Sequence, residues 1–215
     1  MEERIMPKYK TVVIDPPWSI DNIGLAPKAL HHMNGHSKQP RRPFLQKTTI
    51  KEYMCDHYST MTVQELLEFP IDDFAAEESL LFLWVTCSKA EGRAVIDIGF
   101  DLLEAWGFKY HTLITWSKGN SFAIWSPISR ATEHCIFGYR GNFTKLTRKQ
   151  NAVMTNHIHT TYQVKHSEKP VKFYQLLRAW TPEPRIDIFA RQRHYGFDGW
   201  GDEYVGDGPL AEWLE

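Results

Sequence analysis

The 215-residue chain lacks the features that define several large classes of protein. Its three cysteines, Cys55, Cys87 and Cys135, form no close pair, which argues against a disulfide framework and a cysteine-rich zinc site. No window approaches the roughly 18 apolar residues of a membrane span, and the opening MEERIMPKYK does not resemble a secretory signal. We therefore expect a cytoplasmic protein without a membrane segment.

The chain also lacks an excess of charge of either sign, but its charges are segregated. There are 25 basic and 26 acidic side chains. No acid lies between Asp21 and Glu52 or between Glu133 and Glu168, whereas both stretches are rich in lysine and arginine. Such segregation creates local positive potential suited to a polyanion, although chance segregation is an alternative.

Short apolar runs and helix signals indicate a single α/β domain over residues 1–215, without internal repeats. A capping box at Thr62 and Glu65 predicts one helix, and a second pair at Ser88 and Glu91 predicts another that ends near Gly107. A third helix carries Pro170 in its first turn. The predicted strands are 9–14, 79–86, 111–117, 133–139 and 185–190.

The spacing of these elements predicts a mixed, mainly parallel sheet with helices on its faces. The connection between 111–117 and 133–139 has no convincing helix, so this pair is expected to be antiparallel. Two long polar segments, 19–57 and 140–166, coincide with the acid-free basic stretches. Because long loops in compact domains are often functional, we interpret both as walls of a groove for an anionic substrate. Arg41 and Arg42 are the candidate contacts in the first.

The first strand ends in TVVIDPPW, which places an acid, two prolines and a tryptophan at its tip. Ligands of open α/β sheets bind beyond the carboxyl ends of strands. Pro16 and Pro17 offer carbonyl acceptors without N–H donors, and Trp18 offers a flat face for stacking. Together with Asp15 they suit a planar group that carries an NH2, such as a nucleic-acid base. The alternative is an aspartate that caps a proline-terminated turn.

The motif resembles the DPPW signature of S-adenosylmethionine-dependent amino-methyltransferases, and the chain is similar to the MT-A70 family in particular. The resemblance extends over an ordered series of motifs: YSTMTVQEL, LLFLWVT, TWSKGN, EHCIFGYRGN, SEKPVKFYQLL and RIDIFAR. It implies a Rossmann-like methyltransferase fold with a permuted motif order. The absence of a GxGxxG turn after the first strand fits this order.

The resemblance implies that the C-terminal third binds S-adenosylmethionine, together with Asp15. Lys169, in the KP of the family motif, would hold the methionine carboxylate, although a solvated surface lysine is an alternative. A carboxylate here would accept hydrogen bonds from the ribose hydroxyl groups of the cofactor, and Asp198 is an alternative to Asp202 and Glu203 for this role. The further cofactor candidates are Ser167, Arg191, His194, Asp202 and Glu203.

Four residues match positions near the family's target-base pocket. Stacking on aromatic side chains there would offset the stacking energy that the target base loses when it leaves the nucleic-acid stack. An aromatic residue in a strand is as often part of the core, an alternative that we keep for the first tryptophan. The candidates are Tyr58, Trp116, Lys118 and Trp125. We expect no metal, because the histidines that suggest one have no acidic or thiol partner at useful spacing. They are His31, His32, His36, His157 and His159.

The resulting hypothesis is an N6-adenine methyltransferase that acts on DNA, from a prokaryotic or phage-infected cell. The short chain, without a recognisable RNA-binding appendage, favours DNA over RNA. The alternatives are methylation of RNA adenosine, a catalytically silent relative that only binds nucleic acid, and a methyltransferase for small-molecule amines. Relatives that act as dimers leave a homodimer open.

Overall fold

A computed structural model describes residues 8–21, 60–118, 130–144, 155–160, 168–201 and 204. Its centre is a seven-stranded sheet, with a two-stranded hairpin beside it. The sheet strands are β1 (Tyr9–Ile14), β2 (Ala75–Val85), β5 (Lys109–Lys118), β6 (Thr132–Arg140), β7 (His157–Thr160), β8 (Arg185–Ile188) and β9 (Asp198–Trp200). The hairpin is β3 (Lys89–Ala90) and β4 (Arg93–Ala94), and the helices are α1 (Val63–Leu67), α2 (Ile71–Phe74), α3 (Val95–Ala105) and α4 (Val171–Trp180).

The strands lie in the order β7-β5-β6-β2-β1-β8-β9. Strand β6 runs antiparallel to both β2 and β5, and the other pairs are parallel. This arrangement confirms the predicted mixed, mainly parallel sheet and the antiparallel β5–β6 pair. It also means that six strands end, and β6 begins, at one edge of the sheet. We call this the carboxyl edge.

Alternation of side chains along the central strands produces a core on each face of the sheet. On one face, Val12 and Ile14 of β1 belong to the core that contains Ile98 and Leu102 of α3. On the other face, Val13 belongs to the core that contains buried residues of α4. Residues of β1 are 0% exposed from Thr11 to Ile14. The first strand therefore reaches the carboxyl edge through the centre of the domain.

The capping box predicted at Thr62 and Glu65 is confirmed at the start of α1. The second predicted capping box, at Ser88 and Glu91, is wrong, because residues 89–94 form the β3–β4 hairpin. Helix α3 begins only at Val95, after Ala94 as its N-cap. The turn of the hairpin is stabilised by Asp21, whose carboxylate accepts hydrogen bonds from the backbone N–H groups of Glu91 and Gly92, each at 2.8 Å. Residues 89–94 thus form a hairpin stabilised by Asp21, which is seventy residues from Glu91 in sequence, and not the helix start that Ser88 and Glu91 predicted.

Strand β7 lies inside segment 140–166, where the sequence predicted only a loop. It pairs with β5 in parallel and contributes buried Ile158 and Thr160. Residues 145–154 and 161–166 of that segment, and residues 22–57 of the first polar segment, lie outside the described residues. None of the helices in the described ranges has the length and apolar character needed to cross a bilayer.

Candidate active site

Asp15 lies at the carboxyl edge, directly after the end of β1. Its backbone N–H donates to the carbonyl of Ile188 in β8 at 3.4 Å, so the neighbouring strand fixes its position. Its carboxylate forms an ion pair with Lys169, with Oδ2 and Nζ 2.9 Å apart. Lys169 is only 8% exposed, and it precedes Pro170, which is the N-cap of α4 and not a residue of its first turn as predicted. The alternative of a solvated surface lysine is therefore wrong.

A chain of four alternating charges extends this ion pair across the carboxyl edge. Lys169 Nζ also lies 3.1 Å from Oε2 of Glu133, and the other carboxylate oxygen of Glu133 contacts the ammonium group of Lys118. The four residues come from the tip of β1, the segment before α4, the start of β6 and the end of β5. We call them the charge network. Two carboxylates and two ammonium groups leave it without net charge.

The pKa values of the charge network follow from burial and mutual attraction. Burial raises the pKa of Asp15, against the opposing influence of Lys169. Burial alone would lower the pKa of Lys169, but the charges of Asp15 and Glu133 outweigh it and hold this pKa above its ordinary value. Burial would likewise raise the pKa of Glu133, but the two ammonium groups keep it below its ordinary value. Lys169 and Glu133 are thus charged at neutral pH.

The three residues after Asp15 are fixed by hydrogen bonds of their backbone. The carbonyl of Pro16 accepts from the N–H of Trp18 at 2.8 Å, and the carbonyl of Pro17 accepts from the N–H of Met61 at 2.9 Å. Each carbonyl has two lone pairs, so each retains capacity for one more donor. The indole of Trp18 is 5% exposed and donates from Nε1 to the carbonyl of Trp84 at 3.3 Å. The open stacking face predicted for Trp18 is therefore packed in the core instead.

Trp116, predicted as a base contact, also lies in the core. Its indole is 2% exposed, and Nε1 donates to Oγ1 of Thr160 at 3.0 Å. Its ring meets the ring of Trp84 edge to face, with centroids 6.1 Å apart. This placement matches the core alternative and corrects the predicted base contact, because the sequence did not predict β7, whose Thr160 accepts the hydrogen bond of the indole. Lys118, by contrast, belongs to the charge network, with Nζ 4.9 Å from the centre of the Trp116 ring.

The predicted cofactor residues that the structure describes lie at different depths. Arg191 is exposed after the end of β8, and its charge lowers the pKa of Asp15, against the larger effect of burial. His194 is 4% exposed and stacks on Tyr174, with ring centroids 3.4 Å apart. Burial lowers the pKa of His194 to about 4, and its Nδ1 has no hydrogen-bond partner among the described residues. The structure thus places His194 inside the domain as a neutral ring.

Two acids that the sequence reasoning did not select contribute to this site. One is Glu133, at the centre of the charge network. The other is Asp187 of β8, which is 4% exposed and accepts a hydrogen bond from the hydroxyl of Tyr174 at 2.8 Å. Burial, and after it the negative charge of Asp15, raise the pKa of Asp187 to about 7, against the opposing influences of Tyr174 and Lys169. An acid inside the apolar run RIDIFA was the signal that could have identified Asp187, since a carboxylate is costly to bury.

We expect replacement of Asp187 by asparagine to change how stability depends on pH. The pKa of Asp187 is about 7 in the folded protein, against an ordinary value of 3.8, so the folded protein binds more protons than the unfolded chain between these pH values. Stability from the neutral acid is therefore present below pH 4 and is lost as the pH rises through 7. As the pH rises from 4 to 8, the free energy of unfolding of D187N should increase relative to that of the wild type by roughly 2–4 kcal/mol. Urea unfolding at both pH values measures this difference. An identical pH dependence in both proteins would contradict this assignment.

Several predicted site residues lie outside the described residues. They are Arg41, Arg42, Tyr58, Trp125, Ser167, Asp202 and Glu203. Within the described ranges, no three histidine, cysteine or acidic side chains are grouped so that they could hold a metal ion.

The mixed sheet, with its acidic strand tip at the carboxyl edge, is the fold of a Rossmann-like methyltransferase. The MT-A70 family model matches residues 9–203, and the chain belongs to this family.

Three relatives illustrate its range. The chain is 25% identical over 198 residues to the type II methyltransferase M.MunI of a Mycoplasma species, covering 91% of this chain and 78% of that protein. It is 25% identical over 202 residues to the N(6)-adenosine-methyltransferase MT-A70-like protein of Drosophila melanogaster, and this match covers 89% of this chain and 26% of that protein. It is 25% identical over 204 residues to the human N(6)-adenosine-methyltransferase catalytic subunit METTL3, and this match covers 89% of this chain and 27% of that protein. The chain thus spans about a quarter of these eukaryotic relatives.

Proposed function

We propose that this chain transfers a methyl group from S-adenosylmethionine to the exocyclic N6 amine of adenine in DNA. The observation that carries the proposal is the position of Asp15, whose carboxylate lies at the carboxyl edge and is held by the buried ammonium group of Lys169. Ligands of open α/β sheets bind at this edge. An acceptor fixed there, without competing donors from two following prolines, suits an NH2 group.

The charge network fits the amino-acid end of S-adenosylmethionine. That end is a zwitterion, so it adds no net charge to the alternating ammonium and carboxylate groups. In this proposal Lys169 binds the methionine carboxylate, while Arg191 and the segment after β9 contribute on the β8–β9 side of Asp15. Bound S-adenosylmethionine supplies the electrophilic methyl group of its sulfonium. A positive sulfonium is favoured beside the carboxylate of Asp15.

The same carboxylate of Asp15 would also receive the target amine. Asp15 accepts one amine hydrogen, and the remaining lone pair of the Pro16 carbonyl accepts the other. These two acceptors favour a more tetrahedral nitrogen and orient its lone pair, which is positioning rather than strong-base catalysis. Because burial raises the pKa of Asp15, its carboxylate can also hold the proton that the nitrogen loses after methylation.

DNA rather than RNA is supported by the extent of the match to the type II methyltransferase M.MunI. The match extends over 78% of the type II methyltransferase, against 26% and 27% of the two relatives named as N(6)-adenosine methyltransferases. Those two names favour RNA adenosine as the second candidate substrate. A catalytically silent relative is a third reading, and the intact Asp15, Pro16, Pro17 and Trp18 speak against it.

The test compares nucleosides from cells that express this chain or its D15A variant. Mass spectrometry of hydrolysed DNA and RNA requires no knowledge of the recognition sequence. We expect N6-methyladenine in DNA from the wild-type cells and none above background from the variant cells. Methylation confined to RNA would replace the first candidate by the second. If neither DNA nor RNA differs in N6-methyladenine between the wild-type and the D15A cells, the result supports a catalytically silent protein.

A further inference from the structure

A cavity outside the charge network opens at the carboxyl edge. It lies between the end of β2, the β3–β4 hairpin, the first turn of α3 and the start of β6, and its volume is about 650 Å³. This is the size of pockets that bind small organic molecules. Among the described residues, its polar lining comprises Asp21, Thr86, Cys87, Ser88, Lys89, Arg130 and His134, and none of these belongs to the charge network.

The cavity nevertheless begins one residue from the charge network. Glu133 and His134 are successive residues of β6, so their side chains point to opposite faces of the sheet. Glu133 pairs with Lys169 and Lys118 on one face, while His134 lines the cavity on the other. In the order of the strands, the cavity lies on the β2–β6 side of Asp15.

The rim of the cavity favours an anion. Lys89 is exposed, and the guanidinium of Arg130 donates from Nη1 to the hydroxyl of Ser88 at 2.8 Å, which fixes it at the rim. The acid at the rim, Asp21, already accepts two backbone hydrogen bonds on its carboxylate. Burial lowers the pKa of His134, so its ring is neutral at pH 7. Among the described residues that line the cavity, Lys89 and Arg130 are therefore the two cations, and the single carboxylate, that of Asp21, is engaged in the hairpin turn.

The remaining wall of the cavity is apolar. Ala94 and Ile96, at the start of α3, line this side. A surface with cations on its rim and aliphatic groups on its wall matches a nucleotide, whose phosphate is charged and whose sugar and base have apolar faces. Arginine and lysine are the usual partners of phosphate groups in proteins that bind nucleic acids.

We propose that this cavity binds a nucleotide adjacent to the target adenine, with its phosphate between Lys89 and Arg130 and its sugar or base against Ala94 and Ile96. The inference rests on the proposed function, because it requires a nucleic-acid strand to cross the carboxyl edge. The strand would place the target base on the Asp15 face and its neighbour on the other face of β6. Contacts to a neighbouring nucleotide position the strand and help to hold the target base out of its stack.

Cys87 provides a direct reporter, because its thiol is exposed and lines the cavity. The rate of alkylation by iodoacetamide is measured on the Cys87 peptide by mass spectrometry, with and without a single-stranded DNA of about 20 nucleotides. The DNA is saturating by fluorescence anisotropy. We expect alkylation to slow at least about fivefold with the oligonucleotide and to stay unchanged with adenosine alone. An unchanged rate with bound oligonucleotide would overturn the inference.

Two variants test the cations independently of catalysis. We expect K89Q and R130Q each to weaken oligonucleotide binding roughly three- to tenfold in low salt and to reduce the salt slope by about one. The matched control is K109Q, because Lys109 is exposed at the opposite edge of the sheet, where β5 begins. Equal affinity of R130Q and K109Q would assign the phosphate contact elsewhere. If DNA is bound and methylated but leaves Cys87 unprotected, only this inference fails, whereas absence of any nucleic-acid binding removes the proposed function as well.

Discussion

Replacement of Asp15 by alanine should lower the rate of methyl transfer at least about 1000-fold, while the affinity for nucleic acid changes by less than about threefold. The reason is that Asp15 is the acceptor proposed to orient the target amine. Asp15 also borders Lys169, but Glu133 remains as a partner for that ammonium group, so the fold is expected to persist. The measurement is single-turnover transfer of a labelled methyl group to unmethylated DNA, with anisotropy for binding.

Two further variants make this result specific. D15N keeps the shape and one acceptor oxygen but removes the charge, and we expect it to be nearly as inactive as D15A because its NH2 faces the amine. D73N is the matched control, since Asp73 is an exposed aspartate on α2, next to the start of β2 at the opposite edge of the sheet. A methyl-transfer rate of D15A close to that of D73N would refute the role given to Asp15.

Replacement of Lys169 by methionine should lower the free energy of unfolding by about 3–5 kcal/mol and abolish detectable binding of S-adenosylmethionine. The stability loss arises because the carboxylates of Asp15 and Glu133 would remain in a buried site without their shared partner. The binding loss follows from the proposed contact to the methionine carboxylate. Urea unfolding and isothermal titration calorimetry measure the two effects separately.

The control for this replacement is K172M, which changes an exposed lysine in the first turn of α4. Its stability should stay within about 0.5 kcal/mol of the wild type. In a K169M/E133Q double variant, neutralising one of the two stranded carboxylates should restore part of the lost stability. If K169M is as stable as K172M and binds S-adenosylmethionine normally, Lys169 has neither role.

The elements that were predictable from the sequence are those with local signals. The buried first strand, the Thr62–Glu65 cap and the stop at Gly107 depend on neighbours in sequence, and the structure contains all three. The start of α3 was not predictable in this way, because the turn at Glu91 and Gly92 depends on Asp21. Strand β7 has only four residues and a polar sequence, so only its pairing with β5 identifies it.

The same distinction applies to the candidate site. Asp15 and Lys169 were selected because motifs carry them, and the structure brings them to 2.9 Å. The depth of Trp18 and Trp116 could not be read from the sequence, since an aromatic residue suits a core and a base pocket equally well. Glu133 was missed for another reason: its importance comes from two ammonium groups that are contributed by distant elements, before α4 and at the end of β5.

The reversed direction of β6 has a consequence for how such a protein can diversify. Because β5 ends and β6 begins at the carboxyl edge, residues 118 and 130 both lie there, and the chain between them departs from and returns to that edge. The same holds for Asp21 and Met61, which are tied to the hairpin and to the tip of β1. The length and composition of both connections can therefore change during evolution without disturbing a strand pair of the described sheet, so that, under the proposed function, target recognition can diverge while Asp15 and Lys169 keep their positions.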